Sequence, residues 1–387
     1  MTSKPRTRDI PPRSFKKSSW LPGTRGNPFD VILTSGAKID RMPAILFLLI
    51  LAALAYLAGK FDLVHSSIFF LFFLVDWLLI ALLPKLKRSF GPVKPVVLLL
   101  AVLRVPFALL PFWVALGAQL AGTLLVLAGF YIEPMRLDIH AETLKTNKLR
   151  TGQTLRLVHL GDLHIERITR REEKILRALE DLKPDLILFS GDILNLSYVH
   201  DPLAQQEAHA FLAQLHAPLG VFGVTGSPPV DPLDVYAKLL ENTEIQWLDD
   251  RNVVIPVGES GISITGLTCT HLPERDFPNY LKLNSENDES RFNILLYHSP
   301  DIAPLMRSTA VDLQLSGHTH GGQVRLPFFG ALYAASLYGK NFESGRYLLG
   351  KMTLYVTRGL GMEGGIAPRV RFLCPPELIV WEIAGTA

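Results

Sequence analysis

Asp162 and His164 stand two positions apart in Gly161-Asp162-Leu163-His164, directly after the apolar run Leu155 to Leu160. On an extended backbone residues i and i+2 share a face, so a carboxylate and an imidazole at this spacing can grip one cation together. His318 and His320 repeat the spacing in Gly317-His318-Thr319-His320-Gly321-Gly322-Gln323, where the glycines permit close backbone approach. Between the two pairs lie Gly191-Asp192, Gly226-Ser227 and His298, each a polar group following a short apolar run. Mixed carboxylate and imidazole donors suit Mn, Fe or Zn, and a cleft holding two such cations can stabilise both the attacking and the leaving oxygen of a phosphoryl transfer.

These side chains need strands to deliver them. Leu155 to Leu160 reads as a buried strand, and the spacing of Ile175, Leu176, Leu179 and Leu182 predicts a helix over 170–182, with acidic Glu172 and Glu173 in its first turn and Lys183-Pro184 at its end. Asp185 to Ser190 is the next strand, so strand, helix and strand form a βαβ unit with carboxylates after both strands. Further strands are expected at Gly220 to Thr225, Gly261 to Leu267, Asn293 to Tyr297 and Val311 to Leu315. Ligand sites in open α/β sheets lie outside the carboxyl ends of strands, where these residues fall.

The ordered set Asp162-Leu163-His164, Gly191-Asp192, Gly226-Ser227, His298 and Gly317-His318-Thr319-His320 resembles the calcineurin-like metallophosphoesterase superfamily, over about Leu155 to Gln323 and onward to the C-terminus. The Gly-His-Thr-His-Gly-Gly-Gln ending is similar to its membrane-anchored bacterial type. The resemblance implies a four-layer α/β/β/α sandwich with two divalent cations and a metal-bound hydroxide as nucleophile. It also implies that one cation is held by Asp162, His164, Asp192 and His320 and the other by Asp192, His298 and His318, with Asp192 bridging. Asn195 occupies a position where the family commonly has an Asp or Asn that orients ligands or substrate.

The chain also departs from that pattern. Where the family has Gly-Asn-His-Asp or Gly-Asn-His-Glu, this sequence reads Gly226-Ser227-Pro228-Pro229, so Ser227 replaces a metal-ligating asparagine and Pro228 a proton-donating histidine. A hydroxyl is a weaker ligand, and proline transfers no proton. His271, in Thr268-Cys269-Thr270-His271 after the strand expected at Gly261 to Leu267, is the candidate substitute general acid. The bland alternative for it is a surface or packing histidine, the reading adopted for His159, His200, His209 and His216, which lack a ligand pattern.

The first third has a different composition. Residues 1–41 form a basic arm read as disordered, residues 42–132 a transmembrane region of about four helices, and residues 133–387 the metallophosphoesterase domain. The expected spans are Met42 to Gly59, Ile68 to Leu83 and two within Pro95 to Ile132, joined by a turn near Pro111 to Trp113. Asp76 and Arg104 fall inside them, and their mutual pairing would lower the cost of charge in hydrocarbon. Basic residues in the arm, from Lys4 to Arg41, and again after the last span place the arm and, with four crossings, the catalytic domain in the cytoplasm.

A net charge of +3, with basic residues at membrane borders, argues against a nucleic-acid partner, and two cysteines, Cys269 and Cys374, build neither a disulfide framework nor a thiolate zinc cage. The expected partners are the lipid bilayer and a phosphate-ester or pyrophosphate substrate, lipid-linked or membrane-proximal. A different class of function, a catalytically weakened metal-binding scaffold or receptor on the membrane, draws on Pro228. A transporter would need more polar residues within the spans than Asp76 and Arg104.

Overall fold

A computed structural model of the chain describes residues 5–7, 9–15, 35–258, 260–284 and 289–386. Chain contacts divide it into one unit of residues 1–18, 136–362 and 372–387 and a second of residues 19–135 and 363–371.

The strands of the first unit, in chain order, are β1 (Arg6–Thr7), β2 (Asp138–Thr146), β3 (Thr154–Leu160), β4 (Leu186–Phe189), β5 (Val221–Gly223), β6 (Ile245–Trp247), β7 (Arg251–Val257) and β8 (Ser260–Gly266). They continue with β9 (Phe292–Leu296), β10 (Leu313–Ser316), β11 (Arg325–Leu326), β12 (Gly330–Ala331), β13 (Gly345–Leu349), β14 (Met352–Val356) and β15 (Glu377–Gly385). One mixed sheet has the order β2-β15-β3-β4-β5-β6 and the other β1-β13-β14-β10-β9-β8-β7. β3, β4 and β5 pair in parallel, as do β8, β9, β10 and β14, so each sheet points several carboxyl ends the same way.

The alternation of side chains along the strands builds three apolar cores. Val158 and Leu160 of β3, with Ile187 and Phe189 of β4, pack on the helices Arg170–Leu182, Pro202–Leu212 and Leu233–Leu240. Their neighbours Leu155, Leu157, Leu186 and Leu188 turn to the other face and share a core with Ile262 and Ile264 of β8, Ile294 of β9, Leu313 of β10 and Trp381 of β15. On the far side of the second sheet, Leu295, Leu354 and Val356 pack with Tyr280 of the helix Pro273–Leu283. β4 is apolar throughout because both of its faces are covered.

The helix over 170–182 forms at its expected bounds because both ends are written locally. Thr169 and Glu172 make a capping box at its start, and Lys183 closes it in a left-handed conformation with φ of 47°.

Where the arm is described, it makes specific contacts with the first unit. Arg6–Thr7 pairs in parallel with β13, Ile10 is buried, the Arg13 amide donates to the Tyr338 hydroxyl at 3.0 Å and the Phe15 amide to Glu274 Oε1 at 2.7 Å. Average composition hides such isolated anchors, since Ile10 and Phe15 each need only one apolar recess. Residues 1–4, 8 and 16–34 of the arm lie outside the described residues.

The second unit contains the helices Ala44–Ala58, Leu63–Leu82, Lys94–Arg104 and Phe112–Leu127. Two are long and apolar enough to cross a bilayer, Leu63–Leu82 and the continuous segment Phe112–Met135. The other two fall short of the expectation: 15 residues, and 11 residues followed by the 5-residue 3-10 turn Val105–Leu109, at about 1.5–2 Å each, span less than the roughly 30 Å hydrocarbon core. Asp76 and Arg104 do pair. The guanidinium donates to both carboxylate oxygens at 2.7 and 2.8 Å, and also to the Gln119 carbonyl and the Thr123 hydroxyl, so the charge is fully partnered.

Among the described residues Trp381 is the largest fully buried side chain, edge-on to Tyr355 with ring centroids 5.6 Å apart, in the core shared by the two sheets. Trp381→Ala is expected to destabilise the first unit by about 3–5 kcal/mol, read as a lowered unfolding midpoint of the full chain in detergent.

Candidate metal centre

Every chemistry-bearing loop follows a strand: 161–164 after β3, 190–192 after β4, 225–227 after β5, 267–271 after β8, His298 after β9 and 317–320 after β10. Their backbones are not the extended pleat expected for the Asp-x-His and His-x-His pairs. Asp162, His164, His318 and His320 have φ of 49°, 41°, 70° and 52°, and Asp192 and His271 have 60° and 59°. The left-handed region costs an L-residue roughly 1–2 kcal/mol, and Asp and His tolerate it better than most. Such a bend turns a side chain back over the strand end, so both members of each pair still reach the centre by another route. The loops are tied to one another by backbone bonds: the Asp162 amide donates to the Gly191 carbonyl at 3.0 Å and the His164 amide to the Asp192 carbonyl at 3.1 Å.

The donor atoms of Asp162, His164, Asp192 and His320 lie within 4.8 Å of one another, and all four residues are buried. His164 Nε2 is 3.0 Å from His320 Nε2 and 3.4 Å from Asp192 Oδ2. On the other side, His298 Nε2 is also 3.4 Å from Asp192 Oδ2, and the His318 ring lies 5.1 Å from the His298 ring. His298 Nδ1 meets the Ser190 carbonyl at 2.9 Å. A carbonyl can only accept, so Nδ1 carries a proton and, in the neutral ring, Nε2 faces Asp192 with its lone pair. Two imidazole nitrogens 3.0 Å apart beside a carboxylate form a donor set that a divalent cation would satisfy, so the residues fit the metal that their types suggested.

The electrostatics point the same way. Burial pushes Asp192 up, but the charges of His298 and His164 outweigh it and hold the carboxyl well below its ordinary range. Burial likewise pushes His298 down, and Asp192 outweighs it, raising the ring well above the usual imidazole value. Burial raises Asp162 to about 6, whereas His318 is driven well below its ordinary value by burial and then by His271 and His298.

Ser227 and His271 meet at the edge of this cluster. The Ser227 amide donates to Asp192 Oδ1 at 2.6 Å, while its hydroxyl is 3.2 Å from His298 Nε2 and 3.2 Å from His271 Nε2. The His271 ring centroid is 4.5 Å from that of His318, and burial followed by the His298 charge pushes His271 down to about 4. Pro228 and Pro229 are exposed. Asn195 is buried and bonds to the Met362 carbonyl at 3.0 Å and the Ser197 amide at 3.0 Å, so it braces the loop after β14. That loop presses on the centre: a Cβ added at Gly359, where φ is 70°, would lie 2.7 Å from the Asp162 Cβ.

Asp231 was not singled out by the sequence reading. Its carboxylate accepts from the amides of Asp192 at 2.7 Å, Gly226 at 2.8 Å and Ile193 at 3.0 Å, clamping the loops after β4 and β5 together. Burial and then the Asp192 charge raise it to about 7, against the three amide donors. Its only signal in the sequence is an acid shortly after Gly226-Ser227. Ser190, whose carbonyl orients His298, left none, because a backbone acceptor has no residue type. His159 is buried against the Ser190 hydroxyl at 2.9 Å, in line with its reading as a packing residue.

A buried carboxylate and imidazole cluster at the carboxyl ends of strands from two sheets marks a protein built to bind a divalent metal. A family model for the calcineurin-like phosphoesterase domain matches residues 155–322. The chain is 32% identical over 282 residues to the uncharacterized metallophosphoesterase YkuE of Bacillus subtilis, covering 70% of this chain and 95% of that protein. It is 27% identical over 277 residues to the phosphodiesterase YaeI of Escherichia coli, covering 68% and 96%. It is also 27% identical over 288 residues to the UDP-2,3-diacylglucosamine pyrophosphatase LpxG of Chlamydia muridarum, covering 58% and 82%. With the motif residues gathered around Asp192, these matches place the chain in the calcineurin-like metallophosphoesterase family, and it is a hydrolase acting on phosphoester bonds.

Asp231→Ala would leave the Asp192, Ile193 and Gly226 amides without their acceptor and release the Asp192 loop. Metal affinity of the full chain, measured by calorimetric titration with Mn, should fall roughly 10- to 100-fold, and less for Asp231→Asn, which keeps one acceptor oxygen.

Proposed function

We propose that this hydrolase cleaves a phosphodiester or pyrophosphate bond of a lipid-linked or membrane-proximal substrate at a dinuclear centre. The observation that carries this reading is that one oxygen, Asp192 Oδ2, lies 3.4 Å from the Nε2 atoms of both His164 and His298, with a separate set of donors behind each histidine. Asp162, His164, Asp192 and His320 would hold one cation; Asp192, Ser227, His298 and His318 would hold the other. Mn, Fe or Zn suits these donors, and bound cations supply Lewis acidity toward the phosphoryl oxygens and acidify water.

The chain's own groups then hold and move protons. The Ser190 carbonyl fixes the His298 ring, and the Ser227 amide holds Asp192 Oδ1, leaving Oδ2 toward the centre. His271 Nε2 lies 3.2 Å from the Ser227 hydroxyl, across it from His298, and is assigned the general-acid role that Pro228 does not fill. Without substrate its ring is held neutral, and an anionic phosphoester beside it favours protonation. Asn195 keeps the loop after β14 against Asp162. The weaker alternative, a metal-binding scaffold with little turnover, draws on Ser227 and Pro228; His271 at hydrogen-bond distance from Ser227 favours the enzyme.

The first unit is read as a four-layer α/β/β/α sandwich, supported by three apolar cores separated by two sheets. The helical unit, with residues 42–132, is read as a multi-pass bilayer anchor preceding a catalytic domain of residues 133–387. Support comes from its two long apolar helices, of which only 28% and 22% of the apolar window is buried, unlike core helices of a soluble domain. An even number of crossings keeps the catalytic domain on the side of the basic arm, the cytoplasm. The substrate class draws on a relative whose name specifies a pyrophosphate bond in a diacylated nucleotide sugar.

The full chain in detergent with Mn should hydrolyse bis(p-nitrophenyl) phosphate, lose the activity to a chelator and regain it with added Mn. Asp192→Ala is expected to lower the rate by a factor on the order of 100 or more; equal rates would defeat the enzyme mechanism. His271→Ala should lower turnover roughly 100-fold for alkyl leaving groups and far less for nitrophenyl esters, because only the poor leaving group needs the proton.

A further inference from the structure

Five residues after His320 the chain enters a short hairpin, β11 and β12, whose tip is Pro327-Phe328-Phe329. Phe328 has a relative exposure of 110%, Phe329 57% and Tyr333 69%, and Leu326, Leu332 and Leu373 are exposed as well. Phe328 also has φ of 64°, a left-handed conformation that is an outlier for a bulky side chain. A strained backbone that holds an aromatic ring entirely in water gives nothing to folding, so its use lies with something outside the chain.

The tip is held firmly. Lys340 Nζ donates to the carbonyls of Phe329 at 2.7 Å and Ala331 at 2.9 Å and sits 3.4 Å from the Phe329 ring centroid. Arg325 donates to the Gly321 carbonyl at 3.0 Å and to Glu343 at 3.0 Å, which ties the hairpin base to the His320 loop. Beside the tip is a depression of about 640 Å³ lined by Arg6, Arg325, Lys340 and Glu343, three cations to one anion. A protruding aromatic wedge rimmed by basic side chains is the pattern of a segment lying in a membrane interface, with rings at the acyl boundary and cations at anionic head groups.

We propose that the Leu326–Tyr333 hairpin dips into the head-group layer of an anionic phospholipid bilayer and, through Arg325 and Gly321, sets the height of the metal centre above it. The proposal rests on reading the helical unit as a bilayer anchor and is tested separately from it. The full chain is placed in nanodiscs of phosphatidylcholine and phosphatidylglycerol with a nitroxide at Phe328→Cys; the native Cys269 and Cys374 are buried. Parallel labels go on Leu326→Cys at the hairpin base, Leu71→Cys on the helix Leu63–Leu82, and exposed Glu180→Cys as the water reference. The ratio of oxygen to nickel-chelate collision at Phe328→Cys should exceed that at Glu180→Cys roughly five-fold or more, with Leu326→Cys between them. A ratio equal to the Glu180→Cys reference overturns the proposal, and the Leu71→Cys label then tells whether the anchor has failed with it. Dipolar broadening at Phe328→Cys with both collision rates low would overturn it too, identifying a second copy of the chain as the occupant.

Discussion

The centre depends on keeping the Asp192 carboxylate ionised where water scarcely reaches. A buried charge is costly unless it is fully partnered, and Asp192 is partnered on every side: by two imidazoles 3.4 Å away and by the Ser227 amide at 2.6 Å. The backbone carrying it is held in turn by Asp231, a second acid that accepts from the consecutive Asp192 and Ile193 amides. One acid faces the reaction and the other organises the loops around it. This division lets Asp192 present Oδ2 to His164 on one side and His298 on the other.

The site is divided between the sheets. β3, β4 and β5 of the first sheet lead to Asp162, His164, Asp192 and Ser227, and β8, β9 and β10 of the second lead to His271, His298, His318 and His320. The apolar core between the sheets therefore sets the distance between the two groups of donors. A shift in packing there would be felt as a changed spacing around Asp192. The left-handed residues on both sides reflect the same constraint: a strand can aim at the junction, but only a sharp turn at its end brings a side chain back into it.

In the proposed mechanism the group missing at Ser227 and Pro228 is answered from elsewhere. Pro228 is exposed and takes no part, while Ser227 keeps its amide on Asp192 and its hydroxyl between His298 and His271. A histidine from the second sheet thus stands beside a loop of the first. What the local motif lacks in a proton carrier, the opposite sheet can provide, because the two meet at this point.

The apolar strand runs, the donor residues after them, the capped helix at 170–182 and the apolar first third were all legible in the sequence by itself, because each is a short-range pattern of period, cap or composition. The pairing of Asp76 with Arg104 was legible too, since two opposite charges in apolar helices have few other ways to be satisfied. Only the tertiary structure decided that His271 stands at Ser227, that Asp231 clamps the Asp192 loop, that Asn195 reaches Met362, and that Ile10 of the basic arm is buried. It also replaced the expected pleat at the Asp-x-His and His-x-His pairs with left-handed turns, and showed that two of the four apolar helices are too short to span a bilayer unaided. The physical reason is range. A residue's type and its neighbours govern its local conformation, whereas convergence depends on the order and register of strands drawn from distant parts of the chain, and no single stretch of sequence carries that information.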